Sequence, residues 1–226
     1  FWDPSTGTNE AEQATRAIEA AKVAGVTHLV WSTLPDAQRL SGGRLEVAHF
    51  TGKAVVDKIV AAAGFEHHTF VEAPMYFQNF TAMMSPQPLG DGKTGWAVPM
   101  DPSKRCIYAG DVTDVGRVVA RVFEEPARTG DGKHLGVAPG IVSWNDMVGA
   151  LNALGHTFSV VQVPAEVYDG FYPGAQEMRE MFQWFEGYTY FGPDAEDKLA
   201  NTRAVYPHTL TSFKTWAKAH MPVQQL

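Results

Sequence analysis

The chain has 226 residues, of which 45% are apolar and 19% charged, with a formal net charge of −7. That size and balance give one globular domain, or one with a small lobe, and exclude a disordered chain. The acidic balance argues against a general nucleic-acid binder, which needs a basic face to displace counterions, and no apolar run approaches the ~20 residues of a membrane span.

Taken in chain order, Thr8–Ala24 reads as a helix, with Ala11, Ala14, Ile18 and Ala21 at helical spacing. Thr6 or Thr8 would cap it and Gly25 would end it. Thr27–Ser32 reads as a buried parallel strand. Val47–Ala63 reads as a second helix, with Val55, Val56, Ile59 and Val60 inward and Gly64 at its end. His67–Glu72 is the next strand, closed by Pro74. The alternation predicts a parallel sheet with helices on its faces and right-handed crossovers. Thr94–Val98 and Cys106–Tyr108 are shorter strands, and Asp111 opens a helix running to about Glu125. Lys133–Ala138 is a strand, Ser143 caps a helix over Trp144–Leu154, and Phe158–Val163 is the last clear strand. Beyond Pro164 the chain reads as helical and rich in aromatics up to Phe191, and Thr209–His220 closes it. Helical spacing of Met178, Met181, Phe182 and Phe185 favours core packing over a ligand pocket.

Chemistry concentrates in the first third. His49 and Lys53 are four residues apart, so a helix puts both on one face, one turn apart. His can transfer a proton near neutral pH, but a neighbouring ammonium disfavours the imidazolium needed to donate one. A histidine that bonds cofactor or backbone, and a solvated lysine, are the bland alternatives. Ser32 ends a strand, where open α/β sheets place ligands; otherwise it serves local backbone groups. No Gly-x-Gly-x-x-Gly lies between a strand and a helix start, so no phosphate-cradling loop is present. Asp111 and Asp114 read as a pair favoured by a helix N-terminus. His67-His68 lacks metal-ligand spacing, and no metal is expected. The single Cys106 allows no internal disulfide and fits a reducing compartment, so a cytoplasmic location, or also a nuclear one, is expected.

Five pieces, in order, carry a resemblance: Thr27–Ser32, Gly43-Arg44-Leu45 followed by His49-Phe50-Thr51-Gly52-Lys53, Pro74-Met75-Tyr76-Phe77-Gln78-Asn79, Gly110–Gly116, and the aromatic stretch near Tyr172-Pro173-Gly174. Together they resemble the NmrA-like family, an atypical branch of the short-chain dehydrogenase/reductase superfamily. The resemblance implies an α/β, Rossmann-like doubly wound parallel sheet, its N-terminal half missing, with a smaller C-terminal α/β lobe. It divides the chain into residues 1–75, the remainder of the dinucleotide-binding sheet, and 76–226, the remaining strands and the substrate or partner lobe. Phe1-Trp2-Asp3 resembles the end of the family's fourth strand. These residues are therefore expected to be part of a longer natural chain, with the Thr27–Ser32 strand exposing an apolar edge without its upstream neighbours.

The resemblance also implies a site. Lys53 would bond the ribose hydroxyls of NADP(H), and His49 takes the place of the catalytic Tyr, a replacement that tends to cost the family its activity. Ser32, His49 and Lys53 would form the catalytic, if degraded, triad. Pro74, Tyr76, Phe77, Gln78 and Asn79 would fold over the nicotinamide, with Phe1 and Trp2 flanking it. The function implied is a redox-sensing regulator with little or no turnover; the alternative is an NADPH-dependent reductase of a small carbonyl, quinone or enone. Expected partners are the nicotinamide cofactor and a protein partner or second copy, without direct nucleic-acid or membrane contact.

Overall fold

The computed structural model describes residues 9–90 and 92–223. Its elements run α1 (Glu10–Val23), β1 (His28–Thr33), α2 (Ala37–Leu40), α3 (Ala48–Ala62), β2 (His67–Glu72), β3 (Met75–Tyr76) and a 3-10 turn (Phe77–Thr81). There follow β4 (Gln87–Gly90), β5 (Lys93–Val98), β6 (Ile107–Gly110), α4 (Val112–Glu124), α5 (Pro126–Thr129), β7 (Asp131–Gly136) and β8 (Ile141–Val142). The last are α6 (Trp144–Asn152), β9 (Phe158–Gln162), α7 (Ala165–Asp169), α8 (Ala175–Tyr188), α9 (Ala195–Val205) and α10 (Phe213–His220). The expected α/β architecture, a parallel sheet with helices on its faces, is what forms.

Contacts divide the chain into two interleaved units. Unit 1 comprises Phe1–Ala73, Val115–Val137 and Asp194–His208; unit 2 comprises Pro74–Asp114, Ala138–Pro193 and Thr209–Leu226. The chain first leaves unit 1 after Ala73, and two later segments return to it.

Unit 1 is built on the parallel sheet β1-β2-β7. β1 and β2 run in register, Trp31 opposite Phe70 and Thr33 opposite Glu72. One face carries Leu29, Trp31 and Phe70 against Ala14 and Ile18 of α1 and Val56 and Val60 of α3. Each such apolar side chain, when fully buried, stabilises the fold by about 1.5–3 kcal/mol. Phe123 of α4 packs edge-on to His28, 5.3 Å between ring centroids. Because His28 and Leu29 point to opposite faces, helices cover both sides, as a doubly wound sheet requires. Among the described residues β1 pairs on one side only, with β2.

The α1 cap differs from expectation. Thr6 and Thr8 lie outside the described residues, and Asn9 is the cap, its side-chain oxygen accepting from the Ala11 N–H. Gly25 ends the helix as expected, with φ 75° and its N–H on the Lys22 carbonyl.

Unit 2 has two small sheets, β3-β6-β8 and β4-β5-β9. A Cβ on Gly95 of β5 would lie 1.7 Å from the Ser159 carbonyl oxygen, so only glycine permits the β5–β9 approach. The core is aromatic: Phe80 packs on Trp96, Trp144 and Phe213 at centroid distances of 5.3, 5.6 and 4.9 Å. Met181, Phe182 and Phe185 of α8 are buried, as their helical spacing predicts.

Candidate functional site

In unit 1 the candidate residues sit at the carboxyl end of β1 and the start of α3. Ser32 is exposed, and its hydroxyl makes no hydrogen bond among the described residues. α3 carries His49 and Lys53 on one face, as their spacing dictates. The Trp31 indole N–H donates to the Lys53 carbonyl at 3.3 Å, tying the end of β1 to this turn of α3. His49 is half-buried, its ring edge-on to Phe50 at 4.9 Å.

Sequence reasoning missed the partner of Lys53. The ammonium donates to Oε1 of Glu10, in the first turn of α1, at 2.5 Å, with the two side chains 33% and 30% exposed. The residues are 43 apart in the chain, and no local pattern announces the pair.

A second missed cluster lies behind the first. Glu72, 1% exposed at the end of β2, accepts through Oε1 from His134 Nδ1 and from Lys198 Nζ, each at 2.9 Å. Lys198 also bonds Asp194 at 2.9 Å. Oε2 of Glu72 and Oδ1 of Asp57 are buried without a hydrogen-bond partner among the described residues. Asp57 lies one turn beyond Lys53. Burial pushes its carboxyl up to about 6; the Thr33 hydroxyl and His134 oppose that rise, Glu72 adds to it, and Lys198 opposes it. The spacing of four that pairs His49 with Lys53 extends to Asp57, a signal the sequence reading passed over; Glu72 and Lys198 meet only through the fold.

In unit 2 the Pro74–Asn79 segment leaves β2, pairs briefly as β3 with Ala109–Gly110, and turns into the 3-10 helix. Pro74 is buried. Tyr76 is half-buried, and burial raises its hydroxyl above the usual phenol range. Phe77, expected to offer a ring face, is 1% exposed, in core contact with Phe213 and Trp216 at 5.1 and 5.7 Å. The Gln78 amide donates to Asp111 Oδ1 at 2.8 Å, and its carbonyl accepts the Val112 N–H at 3.2 Å. It therefore fastens the turn to the start of α4. Asn79 is half-buried, its amide uncommitted among the described residues.

Asp111 and Asp114 hold the start of α4 together with its surroundings. Burial alone would raise the Asp111 carboxyl. The Thr113 N–H, the Gln78 amide, the Thr113 hydroxyl and His220 hold it below the usual carboxylate range. Asp114 accepts the Thr211 N–H at 2.6 Å. Phe1 and Trp2 lie outside the described residues. Among the described residues no group of three His, Cys, Asp or Glu is placed to hold a metal ion, and no helix is long and apolar enough to cross a membrane.

Comparison with known proteins places this geometry. The model of the NmrA-like family matches residues 4–218. An NmrA-like family domain-containing protein of Dictyostelium discoideum is 26% identical over 125 residues, 53% of this chain and 41% of that one. The nitrogen metabolite repression protein of Neurospora crassa is 30% identical over 127 residues, 53% of this chain and 25% of that one. An NmrA-like family domain-containing oxidoreductase of Aspergillus japonicus is 31% identical over 120 residues, 49% of this chain and 36% of that one. The matched part thus spans well under half the length of these relatives. Among solved structures, the negative transcriptional regulator NmrA superposes with a TM-score of 0.76 at 22% identity, covering 95% of this chain and 70% of that one; it has been solved with NAD and with NADP. An NADPH-dependent quinone oxidoreductase of Escherichia coli gives 0.69 at 16% identity, over 93% of this chain and 73% of that one.

Proposed function

The chain belongs to the NmrA-like family, and from that premise we propose that it binds NADP(H) and serves as a redox-sensing regulator with little or no oxidoreductase turnover. The observation that carries this reading is the helix face that keeps Lys53 but bears His49 where an active reductase has Tyr. A nicotinamide nucleotide supplies hydride when bound, and the residues here fit its ribose. The Lys53 ammonium has three donors, of which Glu10 takes one.

Sensing through the cofactor also agrees with the state of the one thiol. Burial pushes Cys106 up to about 12, with Glu186 adding to the rise, so it holds almost no thiolate at neutral pH and is a poor oxidation sensor. The protein partner of such a regulator would read the occupied against the unoccupied form, which requires different affinities for the two.

A second reading, an NADPH-dependent reductase of a small carbonyl, quinone or enone, is favoured by Ser32, whose exposed hydroxyl is free to meet a carbonyl. One experiment separates them: calorimetric titration of NADPH into the chain and its Lys53→Ala variant, followed by NADPH consumption with a panel of quinones and ketones. The regulator reading expects saturable binding weakened at least about tenfold by Lys53→Ala, as for a charge-assisted hydrogen-bond donor, and no substrate-dependent consumption. Consumption abolished by both Lys53→Ala and His49→Ala would establish the reductase. Absence of NADPH binding would remove both.

A further inference from the structure

The Lys53–Glu10 pair joins the first turn of α1 to the second turn of α3, and three features suggest more than a surface ion pair. The contact is short, 2.5 Å, with both side chains about two-thirds buried. The backbone beneath Lys53 is fixed by the Trp31 indole on its carbonyl. The neighbour in the sequence lies against the pair: a Cβ on Gly52 would come 3.4 Å from Glu10 Oε2, ordinary van der Waals contact, so the carboxylate lies close against α3.

A free lysine side chain has four rotatable bonds, and ordering it costs about 1.5–2 kcal/mol. An ammonium held through one N–H has already met that cost and keeps two donors. We infer that Glu10 is the positioning residue for Lys53: it holds the ammonium through one N–H and presents the other two to a vicinal diol, the recognition element of a nucleotide ribose. The inference rests on the cofactor reading above and adds to it a residue on a different helix. Glu10 touches neither ribose nor nicotinamide in this scheme; it acts through Lys53. Its place in the first turn of α1 is itself favourable, since a carboxylate there complements the helix N-terminus.

The test uses the 226-residue chain with Glu10→Ala, Glu10→Gln, Glu12→Gln and Asn9→Ala variants and two readouts. The first is NADPH affinity by calorimetry. The second is the rate of Lys53 acetylation by an activated acetate ester, read by peptide mass spectrometry. The second needs no cofactor.

Glu10→Ala is expected to weaken NADPH binding about three- to fivefold, the range open to a partly exposed ion pair, and to speed Lys53 acetylation about as much. Glu10→Gln, which keeps an acceptor, restores part of both. Glu12→Gln removes the same charge from the same turn, and Asn9→Ala loosens the same helix end; both leave the pair intact and change neither readout. Unchanged acetylation in Glu10→Ala overturns the inference, because Glu10 then does not hold Lys53. Faster acetylation with unchanged or tighter NADPH binding also overturns it, showing that Glu10 competes with the ribose, while the cofactor reading stands. The same loss in Glu12→Gln or Asn9→Ala assigns the effect to net charge or helix fraying and overturns it as well. No NADPH binding by the unaltered chain defeats the cofactor reading and this inference with it, whatever the acetylation rates.

Discussion

Asp57 shows how one half-buried carboxylate can set a pH dependence. Its folded carboxyl keeps a proton up to about pH 6, whereas an ordinary one loses it near 3.8. A raised acid pKa means that the folded state binds more protons than the unfolded one between those values. The contribution of Asp57 to stability therefore falls as pH rises from about 4 through 6. Asn in its place cannot ionise and keeps a side chain of the same shape. Asp57→Asn is expected to stabilise the chain by about 1–2 kcal/mol at pH 8, after allowance for partial solvent access. The gain should shrink through pH 6 and vanish near pH 4. Urea denaturation at the three pH values checks this; a gain independent of pH would show that folding does not shift the Asp57 carboxyl. The sequence reading passed over Asp57, although it stands four residues beyond Lys53 on the same helix face. It did not make its burial visible, because α3 meets β1, β2 and the buried Glu72 only after folding.

At the scale of elements, what was legible depended on whether an element announces itself locally. α6 did: Ser143 caps it, and the structure completes a capping box, Ser143 Oγ accepting from the Asp146 N–H while Asp146 accepts from the Ser143 N–H. Ser143→Ala is expected to cost about 1 kcal/mol, read as a shift in denaturation midpoint at an unchanged slope. The start of α1 was less legible because Thr6, Thr8 and Asn9 all belong to the capping class, and propensity alone does not choose among neighbours. β3 and β8, two residues each, are too short to show a period. α9 escaped notice as a separate helix because its buried face includes a charge, Lys198, where an apolar residue would mark the pattern. The Pro74–Asn79 segment was legible as a unit but not in its division of labour. Phe77 and Gln78 are used up inside unit 2 by packing and by Asp111, which leaves Tyr76 and Asn79 with uncommitted groups.

At the scale of the molecule, Glu72, His134, Asp194 and Lys198 do for unit 1 what a core normally does: they join its separate chain segments. Glu72 closes the first segment, His134 lies in the second, and Asp194 and Lys198 begin the third. Breaking a buried pair from one side leaves an uncompensated charge, at about 3–5 kcal/mol. Lys198→Met is expected to destabilise the chain by that amount. Glu72→Met combined with Lys198→Met should recover most of it, since a well-packed apolar pair can replace a buried ionic one. A thermal-melt double-mutant cycle measures both. Additive losses would mean that Glu72 and Lys198 act independently.

The same arrangement imposes an order on the birth of the protein. A ribosome delivers β1, α3 and β2 early, and these can associate as soon as they emerge, but the residue that closes β2 is a carboxylate bound for the interior. Its imidazole arrives with β7 and its ammonium only with α9. Until then Glu72 must stay wet or take up a proton, so the nascent sheet stays loose at its carboxyl end, the end that carries Ser32. Domains are commonly finished as their own sequence emerges. Unit 1 leaves the carboxyl end of β2 unfinished until α9 has been made.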